Sequence, residues 1–293
     1  GYCYQIGDGV EKNYELAFQS YMKAATNGYS RAQFKIGELV GVGCMVDSCQ
    51  ECLACHDNLE QYCEKGMTLT YGSPDPIMGG MTHGGYSDNI VVNKKFVLHI
   101  SEKLDVKAVA PLLCAGITTY SPLRHWKVKS GDKVGIIGLG GLGHMGIKFA
   151  AAMGAKVVMI TTSKNKAEDA KNLGAHEVLI SKDKNSMAAH ANSFDFLLNT
   201  IPVSHDINPY LPLLKRDATM VIVGATPLEN THSFGLIMGR KSIAGSLIGG
   251  IKETQEMLDF CAKHNIVSDV EMINIQDINQ AYERIIRADV KYR

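Results

Sequence analysis

The chain has 293 residues, of which 45% are hydrophobic, and its 30 Lys plus Arg are balanced by 30 Asp plus Glu. This length accommodates about two domains, each with its own core. A net charge of zero argues against a nucleic-acid partner, which needs a basic face, and no apolar run reaches the roughly 18 residues of a membrane-spanning helix.

The first 37 residues or so predict a helical repeat. Apolar side chains recur at helical spacing from Tyr14 to Ala25, and Gly28 is placed to end that helix. The pieces GDGV, KAATNG and AQ resemble a Sel1-like repeat, and the match covers about one repeat. Because one helical pair cannot bury its own apolar face, we expect this segment to mediate contacts with protein.

From about residue 38 to Thr118 the sequence consists of short extended runs and Gly-rich turns, which predicts a β domain. Its clearest strand candidates are Leu39–Val42 and the alternating run Ile90–Val97. Between these two runs lies a loop that is crowded with cysteines. They are Cys49, Cys52, Cys55 and Cys63.

The spacing of these cysteines, with two, two and seven residues between them, lets four thiolates surround one tetrahedral zinc ion. A site with four sulfur ligands has no open position, so this zinc would be structural rather than catalytic. The alternative is four unrelated cysteines that are oxidised in pairs. We find no secretion-signal pattern, and crowded thiols suit metal binding in a reducing compartment, so a cytoplasmic protein is predicted.

From Tyr120 onward, strand-like runs alternate with helical patterns, which is typical of βαβ units and a parallel sheet. The strand candidates are Lys133–Ile137, Val157–Thr161, Glu177–Ile180, Phe194–Asn199 and Thr219–Val223. The helix candidates are Leu142–Met153, Lys164–Leu173, Lys184–Ala191 and Glu253–His264.

A glycine motif, Gly138-Leu139-Gly140-Gly141-Leu142-Gly143, follows the first of these strands and opens a helix. In such a motif the first glycine permits a tight turn, the second lets the backbone approach a pyrophosphate, and the third lets the helix pack on the strand. The N–H groups and the dipole of the helix N-terminus favour phosphate. An ordinary Gly-rich turn is the alternative, but the strand–turn–helix context favours a dinucleotide site.

The end of the second strand discriminates between NAD and NADP. An NAD site places Asp or Glu there to bind the ribose 2′-hydroxyl, whereas this chain has the sequence TTSKNK at residues 161–166. Hydroxyl and ammonium groups suit a 2′-phosphate, so we predict NADP(H). Ser163 is also placed to cap the next helix, and the two roles are compatible.

Six stretches of the sequence, in this order, match the pattern of a known family: VGVGCMVDSC, LEQYC, GGYSDNIVV, APLLCAGITTYSPL, GLGGLGHMGIK and GSLIGG. They resemble the cinnamyl alcohol dehydrogenase branch of the zinc-dependent medium-chain alcohol dehydrogenases, with its broad-specificity NADPH aldehyde reductases, over about residues 34–293. The resemblance implies a structural zinc on the four-cysteine loop and a catalytic zinc ligand at Cys114. It also implies contacts to NADP from Thr118, Gly138, Gly140, Gly141, Gly143, Thr161, Thr162, Ser163, Lys166, Thr200, Gly224, Ser246 and Ile248.

The chain departs from that family at the catalytic zinc. The family supplies a Cys, a His and a Glu from the motifs G-x-C-H-[ST]-D and G-H-E, and neither motif occurs in the 293 residues. The histidines at positions 56, 83 and 125 are interpreted as surface or packing residues. Since a catalytic zinc needs about three protein ligands, Cys114 alone does not hold one, and impaired hydride transfer is expected.

Together with this resemblance, the sequence predicts an α/β fold, with a Rossmann parallel sheet packed on a truncated GroES-like β domain and an N-terminal helical repeat. Its segments are residues 1–37 (Sel1-like repeat), 38–118 (partial GroES-like domain), 119–270 (Rossmann domain) and 271–293 (return segment to the catalytic domain). The predicted function is NADPH-dependent hydride transfer between an aldehyde and a primary alcohol, in a homo-oligomer such as a dimer. The alternatives are a catalytically inactive cofactor-binding or interaction module, and a zinc-independent quinone reductase, which the intact four-cysteine loop disfavours.

Overall fold

The computed structural model describes residues 38–76, 79–85, 90, 92–228, 231–287 and 289–292, together with Glu11, Asn13 and Leu16. Contacts divide the chain into two units. The first unit contains the described residues up to Glu102 together with Gly249–Leu258, and the second contains Lys103–Ile248 and the described residues from Asp259 onward. Within the described ranges, no helix is long and apolar enough to cross a membrane.

The first unit contains short antiparallel strand pairs. The strands are β1 (Val40–Val42), β2 (Met45–Asp47), β3 (Thr68–Leu69), β4 (Tyr71–Pro74), β5 (Met81–His83) and β6 (Val97–His99). Strand β1 pairs with β6, β2 with β3, and β4 with β5. These pairs position the cysteine loop, which follows β2.

The prediction of a strand over Ile90–Val97 is wrong for most of that range. Lys94–Phe96 forms a 3-10 turn, and strand β6 begins only at Val97. The Asn93 side chain accepts a hydrogen bond from Lys95 N at 3.1 Å. Such a local side-chain bond to the backbone competes with strand pairing, so the alternating pattern is interrupted. The run Leu39–Val42, in contrast, contains β1.

A parallel sheet of six strands forms the centre of the second unit. The strands are β7 (Lys133–Ile137), β8 (Lys156–Thr161), β9 (Glu177–Ile180), β10 (Phe194–Asn199), β11 (Leu214–Ile222) and β12 (Ser242–Gly245). Their spatial order is β9-β8-β7-β10-β11-β12. This is the Rossmann order 3-2-1-4-5-6, in which ligands bind at the carboxyl ends where the order reverses, here between β7 and β10.

The helices lie before, between and after the strands of this sheet. They are α1 (Leu53–His56), α2 (Val106–Val109), α3 (Ala115–His125), α4 (Gly143–Ala152), α5 (Ala167–Asn172), α6 (Lys184–Ala189), α7 (Phe234–Ile237), α8 (Ile251–His264) and α9 (Ile278–Ile286). Helices α3 and α4 pack through the rings of Tyr120 and Phe149, whose centroids are 5.3 Å apart.

The central strands are buried on both faces, which explains their nearly continuous apolar sequences. Val134 and Ile136 in β7 and Val157 and Val158 in β8 are fully buried. The predicted α/β class and Rossmann sheet are therefore confirmed, and the predicted strands agree closely with those observed. Strand β12 was not predicted at all, and β11 begins five residues before the predicted Thr219. The beginning of β11 is polar, and Lys215 Nζ lies 2.7 Å from Asp195 Oδ1. Apolar patterning therefore did not reveal this part of the strand.

Two predictions about domains stay predictions. The Sel1-like repeat of residues 1–37 lies outside the described residues, apart from Glu11, Asn13 and Leu16. The predicted division between residues 118 and 119 differs from the division by contacts, which falls between Glu102 and Lys103. In the second unit, Leu112, Ala115 and Ile117 are buried, so the segment before residue 118 contributes to that core.

Candidate cofactor and metal sites

The four predicted thiols of Cys49, Cys52, Cys55 and Cys63 come together in the first unit, with all four sulfur atoms within 4.8 Å of one another. Cys49 Sγ and Cys55 Sγ are 3.9 Å apart. A tetrahedral zinc with bonds of about 2.3 Å separates its sulfur ligands by about 3.8 Å. The spacing is therefore close to that of a structural zinc site.

Backbone N–H groups of the same loop point at the sulfur atoms. Cys49 N donates to Cys63 Sγ, Cys52 N to Cys49 Sγ, and Glu64 N to Cys52 Sγ, each at 3.4 Å. Such bonds stabilise thiolates and orient them towards a metal. The backbone N–H groups of Glu64 and Cys55 lower the pKa of Cys52 to about 6.

Burial raises the pKa of the Cys55 thiol to about 12, the opposite direction to Cys52. A bound divalent cation reverses that preference, since coordination deprotonates a thiol outright. Ser48 Oγ lies 3.2 Å from Cys55 Sγ, and Gln50 Nε2 donates to Ser48 Oγ at 2.6 Å. The Ser48 hydroxyl is thus held where it donates to the Cys55 thiolate once that thiolate forms.

The cysteine loop also fixes the start of α8 within the first unit. Buried Glu60 accepts a hydrogen bond from Ile251 N through Oε2 at 3.0 Å. A Cβ on Gly250 would lie 1.9 Å from Asn58 O, so glycine is required for this close approach. A carboxylate at a helix N-terminus is stabilised by the helix dipole. Sequence reasoning missed Glu60, because its partner is 191 residues away.

The glycine motif adopts the predicted strand–turn–helix geometry in the second unit. Gly138 has a φ of +95°, which is the left-handed region that favours glycine. A Cβ on Gly143 would lie 1.9 Å from Gly138 O, so the turn closes too tightly for any side chain. A Cβ on Gly140 would meet nothing within 4 Å, so this position faces open space of the kind that a pyrophosphate would occupy.

Thr200, at the end of β10, holds the glycine loop from the neighbouring strand. Its buried Oγ1 donates to Ile137 O at 2.9 Å and lies 3.1 Å from Gly138 O. A Cβ on Gly224, which follows β11, would lie 2.2 Å from Ile201 O. The structure thus brings Gly138, Gly143 and Thr200 together at the point where the strand order reverses.

The end of β8 carries hydroxyl and amine groups, as the sequence predicted. Thr161 Oγ1 accepts a hydrogen bond from Ser163 N at 3.2 Å, which turns the chain at the end of the strand. Lys166 reaches back to the glycine loop, where its Nζ donates to Leu139 O at 3.1 Å. A lysine ammonium therefore lies beside the glycine loop, and Thr162 is exposed next to it in sequence.

The remaining predicted cofactor residues are more scattered. Thr118 is buried in α3, while Ser246 and Ile248 are half-buried after β12. Ser246 N donates to Ile222 O at 3.2 Å and so extends the sheet. Ile248 has a φ of +32°, a conformation that is rare for a β-branched residue and that is found most often at functional sites. Their cofactor contacts stay predictions.

Cys114, the predicted catalytic ligand, is exposed at the N-terminus of α3. Over the described part of the chain, the four-cysteine loop is the one group of three or more His, Cys, Asp or Glu side chains placed to share a metal ion. Cys114 belongs to no such group there. One thiolate does not meet the requirement for about three protein ligands.

Two family models match the sequence. The model described as zinc-binding dehydrogenase matches residues 141–263, which hold most of the parallel sheet. The model described as alcohol dehydrogenase GroES-like domain matches residues 24–102. The second match begins inside the segment predicted to be a Sel1-like repeat, and no comparison supports that repeat.

Known proteins resemble most of the chain. Aldehyde reductase YahK of Escherichia coli (strain K12) is 60% identical over 260 residues, which are 88% of this chain and 74% of the relative. The structure of a cinnamyl alcohol dehydrogenase (SbCAD4) from Sorghum bicolor has a TM-score of 0.86 at 41% identity and covers 89% of this chain and 75% of its own. That of CAD from Helicobacter pylori complexed with NADP(H) has a TM-score of 0.81 at 42% identity, with coverages of 89% and 75%.

Proposed function

Because this chain belongs to the zinc-type medium-chain alcohol dehydrogenase family, we propose that it uses NADP(H) to interconvert an aldehyde and a primary alcohol. As a member of that family it is an oxidoreductase. The observation that carries the proposal is the glycine loop, with open space at Gly140 and a lysine amine beside Leu139 O. The relative from Helicobacter pylori that is described with NADP(H) supports the same cofactor.

In this proposal the cofactor supplies or accepts the hydride. The N–H groups at the N-terminus of α4 bind its pyrophosphate, since that helix end leaves them without intrahelical partners. The side chains of Ser163 and Lys166 bind the 2′-phosphate, the former through its hydroxyl and the latter through its charge. Thr200 keeps the glycine loop in place, and its predicted contact with the cofactor belongs to the same proposal.

The two zinc sites of the family differ in how well this chain fits them. The four thiolates of the cysteine loop match a tetrahedral zinc in their spacing and N–H bonds, so that zinc would stabilise the first unit. For the catalytic zinc, the described residues provide Cys114 alone from the ligand set that the resemblance implies. We therefore assign no step of hydride transfer to a metal ion in this chain.

The proposed activity is tested by measuring NADPH oxidation with a panel of aromatic and aliphatic aldehydes, alongside NADPH binding. We expect binding with slow turnover, because the 293 residues contain neither motif that supplies the family's other catalytic zinc ligands. Loss of one preorganised charge-stabilising group typically costs about 10²–10³ in rate. Fast turnover that disappears in Cys114→Ser would contradict slow turnover and would reveal a complete zinc site. Binding without any turnover would favour the inactive cofactor-binding module.

Cofactor choice is tested by Lys166→Ala. We expect NADPH to bind about tenfold to a hundredfold more weakly, because a hydrogen bond to a charged group contributes roughly 1.5–3 kcal/mol. NADH, which lacks the 2′-phosphate, should bind unchanged. Lys164→Ala is the matched control, since Lys164 lines a different cleft with Lys171 and His176. An equal loss of affinity for NADPH and NADH, or an equal loss of NADPH affinity in the two variants, would contradict the assignment of Lys166.

Several finer features belong to the same proposal. The chain forms a homo-oligomer such as a dimer in the reducing cytoplasm, where free thiolates persist. The Rossmann domain comprises residues 119–270, whereas the described part of the predicted return segment, residues 271–293, lies in the second unit. The Sel1-like repeat comprises residues 1–37, and the GroES-like match begins within it, at residue 24. Its role is contact with other proteins.

A further inference from the structure

His144, the second residue of α4, is a completely buried polar side chain next to the glycine loop. Its ring Nδ1 lies 3.2 Å from Gly140 O, one turn earlier in the chain. Its Nε2 lies 3.4 Å from Asp269 N. The imidazole also stacks on the Tyr292 ring, with centroids 5.1 Å apart and planes 16° from parallel.

These neighbours assign the protonation state of the ring. Gly140 O is an acceptor, so Nδ1 carries the proton and donates it. Asp269 N is a donor, so Nε2 is unprotonated and accepts. His144 is therefore a neutral imidazole that joins the glycine loop to the segment around Asp269.

The segment around Asp269 is also bonded to α4 at a second residue. Lys148, one helical turn after His144, donates through Nζ to Asp269 Oδ1 and to Val267 O, both at 2.8 Å. All of these residues belong to the second unit. The imidazole is thus fixed at Nε2 by a rigid partner, and its Nδ1–H points at Gly140 O in one orientation.

Fixing Gly140 O also fixes the N–H group that follows it. The carbonyl accepts from His144 N at 3.0 Å as well as from the imidazole. A trans peptide is planar, with its C=O and N–H pointing in opposite directions. When the Gly140 carbonyl points along helix α4, the Gly141 N–H points out of the N-terminus of that helix. A Cβ on Gly140 would meet nothing within 4 Å, so there is open space beside this peptide.

We propose that His144 is a positioning residue for the pyrophosphate of the cofactor. It touches no cofactor atom, and it acts by holding the Gly140–Gly141 peptide with its N–H directed at the pyrophosphate. The proposal rests on the NADP(H) function proposed above. It goes beyond that function because it assigns a role to a buried side chain outside the glycine motif.

The test compares two ligands, NADPH and adenosine 2′-monophosphate, which carries the 2′-phosphate but no pyrophosphate. In His144→Leu we expect NADPH to bind about five- to tenfold more weakly, the effect of one lost hydrogen bond, and the monophosphate to bind unchanged. A general effect on folding would weaken the binding of both ligands equally, and that result would overturn the proposal. Failure of the unsubstituted protein to bind either ligand would instead contradict the proposed function.

Two further variants keep the proposal falsifiable if His144→Leu does not fold. In His144→Asn the side-chain amide takes the place of Nδ1 and still donates to Gly140 O, so we expect NADPH affinity close to the original. In His144→Gln the longer side chain reaches towards Asp269 instead, so we expect the weakened affinity of the leucine variant. Equal NADPH affinities in the asparagine and glutamine variants would overturn the role of the Gly140 contact.

Discussion

Replacing Gly143 with alanine is expected to lower the stability of the Rossmann sheet and to abolish NADPH binding together. The added Cβ would lie 1.9 Å from Gly138 O, and a backbone atom has no rotamer through which to move away. The strand and the helix must therefore separate, which we expect to cost about 3 kcal/mol, at the upper end for overpacked sites. Thermal unfolding and NADPH titration of the same sample measure both effects.

The matched substitution, Gly140→Ala, should separate the two effects. A Cβ at this position meets nothing within 4 Å, so the unfolding temperature should stay close to that of the original protein. The methyl group would nevertheless enter the space proposed for the pyrophosphate, and we expect NADPH to bind at least about tenfold more weakly. Full NADPH affinity in Gly140→Ala would contradict this location of the pyrophosphate. Unchanged stability in Gly143→Ala would contradict the close turn.

Replacing Cys52 with serine is expected to release the structural zinc. Metal analysis of the purified protein should give about one zinc per chain, and the variant should give almost none, since a structural site uses all four thiolates. Cys52 is the sharpest choice because it is buried and its pKa of about 6 already favours the thiolate. Because metal binding is coupled to folding, the first unit should lose protection from proteolysis. The Rossmann unit should keep its fold and its NADPH affinity.

The controls for this prediction are single cysteine substitutions away from the loop. Cys44→Ser changes a half-buried cysteine outside the four-sulfur group, and we expect it to retain zinc. Cys114→Ser changes an exposed cysteine and should also retain it. A preparation with two zinc ions per chain, one of them lost in Cys114→Ser, would contradict the single metal site. Zinc-free protein with four reactive thiols would contradict the cysteine assignment itself.

Features that depend on neighbours in sequence could be predicted from the sequence. The cysteine spacing predicts the metal site because all of its ligands lie in one loop, and the glycine spacing predicts the turn after β7 for the same reason. Features that depend on distant partners could not. Glu60 and Ile251 meet only in the folded chain, as do His144 and Asp269. The polar beginning of β11 was missed because its pairing depends on β10 and not on its own apolar pattern.

Because of this contrast, the zinc site and the nucleotide crevice form at different times during synthesis of the chain. All of the zinc ligands have left the ribosome once Cys63 has emerged, and closing so short a loop costs little entropy, so metal capture can precede most of the chain. The nucleotide crevice needs β7 and β10 side by side, with Val134 paired to Phe196, and must wait for that much more chain. The Glu60 hydrogen bond forms last of these, because its partner Ile251 is made 191 residues later. The Glu60 carboxylate stays hydrated until that helix docks and then loses water in exchange for an N–H.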